Sequence, residues 1–259
     1  MMGIVNILKI GGSVITNKDV EYSIRFDEMY RVAYEISKAY QLCTKQIILI
    51  HGGGSFGHAT VVEHGNIESG QAITQIVWFM KELNTVFTDA LNAYGVPALS
   101  LDTHAVFYRS RGGELECFSK PIEMALKKGV VPILFGDIIF GDNDTEILSG
   151  DEIAWKLSTI FKPSRILFAT DVDGVYDKDP RDPRAHFLEL VRIRDIEAID
   201  TSLRKRIDVT GGIRAKLLYG LKYWNSDIRE VLIFNGLKKD NIVKALCGKN
   251  VRGSRVVML

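Results

Sequence analysis

Apolar positions along this chain fall into two rhythms. Short runs at Ile4–Ile10, Gln46–Ile50, Val96–Leu99, Val131–Phe135, Arg165–Thr170 and Glu230–Phe234 predict strands. Longer stretches between them repeat apolar residues every three or four positions and predict helices over Phe26–Tyr40, Ile73–Tyr94, Ile122–Lys128, Asp151–Phe161 and Gly212–Asn225. In the first of these, Met29, Val32, Ala33, Ile36 and Tyr40 form one stripe facing a sheet. Strand–helix alternation of this kind specifies an α/β fold with a mostly parallel central sheet. The segment Phe140–Leu148, rich in Gly and Asp, reads as a hairpin or long loop beside that sheet. Lys162-Pro163-Ser164 is the one punctuation mark, and it puts a lobe boundary near residue 165. In such sheets ligands collect at the carboxyl ends of the strands.

Composition narrows the class of protein. The 259 residues suffice for a large single core or for two lobes sharing a sheet. Thirty-three Lys and Arg against 32 Asp and Glu give a net charge of +1. A dedicated nucleic-acid or membrane-surface binder would show a basic excess, so neither partner is expected. Cys43, Cys117 and Cys247 are scattered and odd in number, so no disulfide framework or structural zinc site is expected, and a reducing cytoplasm fits. No apolar run reaches the length of a membrane span, and the first residues lack the pattern of a signal peptide.

Chemistry concentrates where strands end. The first predicted strand runs into Lys9-Ile10-Gly11-Gly12-Ser13 and the second into His51-Gly52-Gly53-Gly54-Ser55-Phe56-Gly57-His58. Glycine lets the backbone turn tightly and bring N–H groups against phosphate oxygens. One such loop holds one phosphate cluster; two on neighbouring strands suit an anionic donor and an anionic acceptor. Gly52, Gly54 and Gly57 fit G-x-G-x-x-G, but no second strand ending in an acid follows at the required distance. The same segment approaches a P-loop, yet His58 and Ala59 stand where Lys and Ser/Thr belong.

Three further constellations follow. Ser149-Gly150-Asp151 opens a helix, and Asp151 there is either a cap or a functional carboxylate. The stretch Thr170-Asp171-Val172-Asp173-Gly174-Val175-Tyr176-Asp177-Lys178 follows a strand and offers carboxylates for hydroxyls, a flat ring for a base, and a lysine. Asp208-Val209-Thr210-Gly211-Gly212 leads into a helix carrying Lys216. Phosphoryl transfer needs in-line positioning and cations around the transferring group more than covalent help. Lys9, Lys18 and Lys216 are the candidate cations, and Asp151 is placed to hold two of them apart. No G-x-S-x-G nucleophile elbow competes.

Taken in order from residue 9 to 216, these motifs resemble the amino acid kinase superfamily. Within it, Lys9-Ile-Gly-Gly-Ser-Val-Ile-Thr16 with Lys18, together with the loop from His51 to His58, is similar to the isopentenyl phosphate kinases of archaeal type. The resemblance implies an open αβα sandwich and a homodimer. It implies an acceptor-binding N-terminal lobe (1–164) and a C-terminal lobe (165–259) that takes ATP with Mg2+. It assigns catalytic roles to Lys9, Lys18, His58, Asp151 and Lys216, with His58 on the acceptor phosphate. ATP contacts would come from Lys9, Gly11, Gly12, Ser13, Gly54, Asp171, Asp173, Gly174, Tyr176, Asp177, Lys178, Gly212 and Lys216. Acceptor contacts would come from Gly53, Gly54, Gly57, His58 and Gly150. Asn17 departs from the pattern, since relatives often carry Asp before the lysine. Arg252-Gly253-Ser254 matches the closing strand only loosely. Two rivals stand beside this reading: a kinase of fosfomycin-kinase type for another small phosphate or phosphonate, and a nucleotide-binding regulator without catalysis.

Overall fold

The computed structural model describes residues 5–57, 67–142, 144–193 and 212–258. The first half of the chain runs β1 (Asn6–Ile10), α1 (Gly12–Ile15), α2 (Phe26–Leu42), β2 (Ile47–His51), α3 (Gly70–Ala93), β3 (Ala98–Ser100) and α4 (Thr103–Val106). It continues through β4 (Phe107–Arg109), β5 (Leu115–Cys117), α5 (Lys120–Lys127), β6 (Val131–Phe135), β7 (Asp137–Phe140), β8 (Thr145–Leu148) and α6 (Gly150–Phe161). Then come β9 (Arg165–Thr170), β10 (Val175–Tyr176), β11 (Phe187–Leu188), β12 (Leu190–Arg192), α7 (Gly212–Tyr223), β13 (Glu230–Asn235), α8 (Asn241–Leu246) and β14 (Gly253–Val257).

Eight strands make one sheet in the order β12-β14-β13-β9-β1-β2-β6-β3. Every neighbouring pair is parallel except β13 with β14. Alternate residues of each strand enter opposite faces. Leu8, Ile10, Leu49, Phe135, Leu167 and Ala169 join one core with α2, α3 and α8. Ile7, Ile48, Ile50, Leu134, Ile166 and Phe168 join the other with α6 and α7. Helices on both faces explain why β1, β2 and β6 are buried at every position, Asn6, Lys9 and His51 included: there is no wet side to pattern. The expected αβα sandwich is therefore present. The sheet crosses residue 165 without a break, because β9 pairs directly with β1. Among the described residues no helix is long and apolar enough to cross a membrane.

One expectation is overturned. Cys43 and Cys247 form a disulfide across a sequence separation of 204 residues, with Cα atoms 5.2 Å apart. Each cysteine follows the last residue of a helix, α2 and α8, and these helices pack side by side on one face of the sheet. Counting cysteines cannot reveal that proximity. The same two helices share a second tie. Buried Glu35 of α2 accepts from the N–H groups of Asp240 (2.9 Å) and Ile242 (3.0 Å), capping α8 from outside its own sequence.

Candidate active site

β1 and β2 are adjacent and parallel, so their glycine loops emerge side by side and touch. A Cβ on Gly12 would lie 2.1 Å from the Gly54 nitrogen, and one on Gly54, whose φ is +52°, would lie 1.9 Å from Thr16 Oγ1. Only glycine fits either place. Thr16 Oγ1 stitches the loops, donating to Gly12 O (2.9 Å) and accepting from Ser55 N (3.0 Å). Gly11 donates to Ala169 O (2.8 Å), tying the first loop to β9 as well. Gly150 is close-packed for a related reason: a Cβ there would lie 3.1 Å from His51 O and 3.4 Å from Lys9 Cε.

Lys9 lies on the same face of β1 as Ile7, the face covered by α6 and α7. This is what brings three predicted residues together. Asp151 Oδ1 accepts from Lys9 Nζ at 3.0 Å and from Lys216 Nζ at 2.6 Å. Asp151 is free to do so because Ser149, not Asp151, caps α6, accepting from Glu152 N at 3.1 Å. Burial alone would raise the Asp151 pKa, but the two ammonium groups outweigh it and hold the carboxyl at about 2. Burial lowers Lys216 to about 8 despite Asp151, so it still carries its proton at neutral pH. Its Nζ also lies 4.7 Å from the centre of the Phe168 ring. Two cations on one carboxylate leave a net positive charge beside two glycine loops.

The other predicted residues that are described have partners of their own. Lys18 pairs with Asp171 at 3.0 Å, and Asp171 also bonds Ser13; burial opposes ionisation of Asp171, and these partners outweigh it, lowering its pKa. Asn17 instead accepts from Asp19 N, so Asp171 rather than residue 17 holds Lys18. Asp173 meets Lys238 (2.7 Å), Asn235 (3.1 Å) and Arg252 (3.6 Å). Gly174, at φ +155°, passes so close to Ser254 that a Cβ would lie 2.4 Å from its Oγ. Tyr176 packs edge-on against Phe187 across the β10–β11 hairpin, and Asp177 binds His186. Lys178 continues that hairpin, and Gly212 starts α7. On the opposite side, Met80 of α3 lies under Gly53 and Gly57, and Tyr22 stacks on Phe79 at 4.2 Å and meets Phe56 edge-on. His58 and the stretch Asp208–Gly211 lie outside the described residues.

Sequence reading missed what stands behind the site. Arg109 of β4 bonds Glu146 and Glu152, and Tyr223 donates to Glu152 at 2.9 Å, joining the β4–β5 hairpin to α6 and α7. Trp155 Nε1 donates to Lys216 O at 2.8 Å, fixing the backbone that carries the lysine. The only sequence signal for Glu152 is an acid inside an amphipathic helix, and that signal is common.

An open, mostly parallel sheet with paired glycine loops and a carboxylate bridging two buried lysines is an architecture suited to phosphoryl transfer. Residues 5–235 match the amino acid kinase family, and the chain belongs to it. Within that family it is similar to isopentenyl phosphate kinases. It is 35% identical to that of Methanocaldococcus jannaschii, over 96% of this chain and 97% of the relative. It is 36% identical to that of Methanothermobacter thermautotrophicus, over 96% and 98%. A solved isopentenyl phosphate kinase structure superposes with a TM-score of 0.81 at 31% identity, covering 98% of this chain and 100% of that one.

Proposed function

We propose that the protein transfers the γ-phosphoryl group of ATP to isopentenyl phosphate, yielding isopentenyl diphosphate and ADP. The observation that carries this reading is Asp151 holding Lys9 and Lys216 where two glycine loops touch. A phosphate oxygen of the acceptor attacks the γ-phosphorus, and the bond to the β,γ-bridging oxygen breaks toward ADP. A phosphate monoester has its second pKa near ~6, so at neutral pH the nucleophile is already ionised and needs no strong base. The chain must instead align two anions and spread positive charge over the transferring group. Lys9 and Lys216 would do this from below and Lys18 from the side. Asp151 keeps the two buried ammonium groups apart without cancelling both.

In this reading residues 1–164 take the acceptor and 165–259 the nucleotide. Asp171, Asp173, Gly174, Tyr176, Asp177 and Lys178 would flank the nucleoside. Gly53, Gly54, Gly57, Gly150 and His58 would face the acceptor phosphate. Mg2+ would arrive with ATP and offset the charge of its phosphates. The apolar wall of Tyr22, Phe79 and Met80 suits an isoprenoid chain, and Met80→Ala should admit a longer prenyl phosphate. We also read the protein as a cytoplasmic homodimer, although the Cys43–Cys247 disulfide speaks against the reducing compartment that the cysteine count favoured. Full-length similarity to isopentenyl phosphate kinases favours this acceptor over a phosphonate. Joint retention of Lys9, Asp151 and Lys216 favours catalysis over sensing.

The test is ADP release with a panel of small phosphates and phosphonates, together with His58 variants. Isopentenyl phosphate should be the best acceptor of the panel. His58→Ala should nearly abolish transfer while ATP still binds, and His58→Gln should retain more because a neutral N–H donor survives. A fully active, folded His58→Ala enzyme would remove His58 from the proposed acceptor site.

A further inference from the structure

His51, the last residue of β2, is completely enclosed. Its ring stacks on Phe135 at 5.6 Å and meets the edge of Phe87 at 5.8 Å. Within this apolar surround it has two polar partners. Nδ1 lies 3.1 Å from Gly52 O, and Nε2 lies 3.1 Å from the side-chain amide of Asn84 on α3. Asn84 is itself buried and bonds Ser100 Oγ at the end of β3.

Burial, the largest influence, pulls the imidazole down to about 4, and the ammonium of Lys9 adds to the effect. The ring is therefore neutral at pH 7, with one N–H and one lone pair. Gly52 O only accepts, so the proton belongs on Nδ1. Nε2 must then accept, which requires the Asn84 NH2 toward His51 and its oxygen toward Ser100. The amide as placed has Oδ1 toward His51, and a turn about its last torsion satisfies every group. The result is a one-way chain: Ser100 hydroxyl to Asn84, Asn84 to His51, His51 to the Gly52 carbonyl.

That carbonyl sets the loop. In a trans peptide the C=O of Gly52 and the N–H of Gly53 point to opposite sides. Glycine has no side chain to restrain the torsions on either side of this peptide. The Gly52 N–H is already used by Ile10 O (2.9 Å), and the N–H groups of Gly53 and Gly54 donate to no described residue. We infer that His51 is a positioning residue: by holding Gly52 O inward, with Asn84 and Ser100 behind it, it aims the Gly53 N–H at the acceptor phosphate. The inference rests on the proposed reaction for the identity of the anion, but not for the hydrogen-bond chain.

Two measurements test it. In 15N-histidine NMR of the wild-type enzyme at pH 7, His51 should show the Nδ1–H tautomer; an Nε2–H or doubly protonated ring would overturn the proposal. This result does not depend on which acceptor is used, so it stays separate from failure of the proposed activity. In kinetics, His51→Phe keeps the ring volume and loses the donor, whereas the amide of His51→Asn can place an N–H where Nδ1–H was. His51→Phe should lower kcat on the order of tenfold or more and raise KM for isopentenyl phosphate, with nucleotide Kd unchanged. His51→Asn should recover most of that loss. Equal losses in both variants, or loss of nucleotide affinity in parallel with kcat, would show that His51 merely packs.

Discussion

Asp151 and Asp173 each gather two cations, and the two clusters differ in how exposed those cations are. Asp151 and Asp173 are similarly shielded, with side chains 13% and 16% exposed. The cations around Asp151, Lys9 and Lys216, are 10% and 4% exposed, whereas Lys238 and Arg252 around Asp173 are 51% and 64% exposed. Water solvates the second pair of cations and screens their charge, so they resemble surface ion pairs of small net value. Around Asp151 each charge depends on the other two. Geometry that looks alike on paper thus yields a fixed electrostatic device in one place and an adjustable rim in the other.

Removing a cation from the buried cluster should have the largest effect. Lys216→Ala and Lys9→Ala should each lower kcat on the order of 10²–10³-fold while changing ATP affinity little, because their charge matters most as negative charge moves between phosphates. Steady-state kinetics on folded variants decides this, and near-normal turnover in both would dissolve the distinction between the clusters. Asp151→Asn leaves two buried ammonium groups without a counter-ion and should cost stability of about 3–5 kcal/mol, read by urea unfolding.

The pH profile sharpens the comparison further. Lys216 is depressed to about 8, so its ammonium is present below that pH and lost above it. The free enzyme's kcat/KM for ATP should therefore fall on an alkaline limb near pH 8. Asp151 is also lowered, but it loses its charge at the acid end of the scale. Its folded-state pKa of about 2 lies below the ordinary carboxylate value, so its contribution to stability is complete above about pH 4 and disappears as pH falls through about 2. Absence of an alkaline limb would show that Lys216 is not the charge being titrated. The smallest effect belongs to the exposed cluster. Lys238→Ala should leave kcat unchanged and shift KM for ATP by no more than about threefold, and 0.5 M salt should erase even that.

Much of the fold was legible because its signals are local. The strands at Val131–Phe135 and Arg165–Thr170 begin and end where the apolar runs do. The helix over Phe26–Leu42 follows its stripe and extends two residues past the predicted end. The two- and three-residue strands β4, β5, β10, β11 and β12 left no readable period, since a repeat of two needs several residues to register. Residues with unusual chemistry also announced themselves: a lysine ending an apolar strand, glycines after it, an acid opening a helix, a lysine in the first turns of another.

The sequence by itself determined the alternation of strand and helix and the two glycine loops, and it offered Lys9, Asp151 and Lys216 only as candidates. Tertiary structure decided which of them meet. Lys9 finds Asp151 and Lys216 because alternate residues of β1 face opposite layers and both helices lie on the face Lys9 enters. Cys43 reaches Cys247, and Glu35 caps α8, because α2 and α8 share the other face. His51 acquires a tautomer only from the carbonyl, amide and hydroxyl that packing arranges around it. Periodicity is written within some ten residues, but pairing across 65 or 204 residues depends on how layers stack, and only the folded chain contains that information.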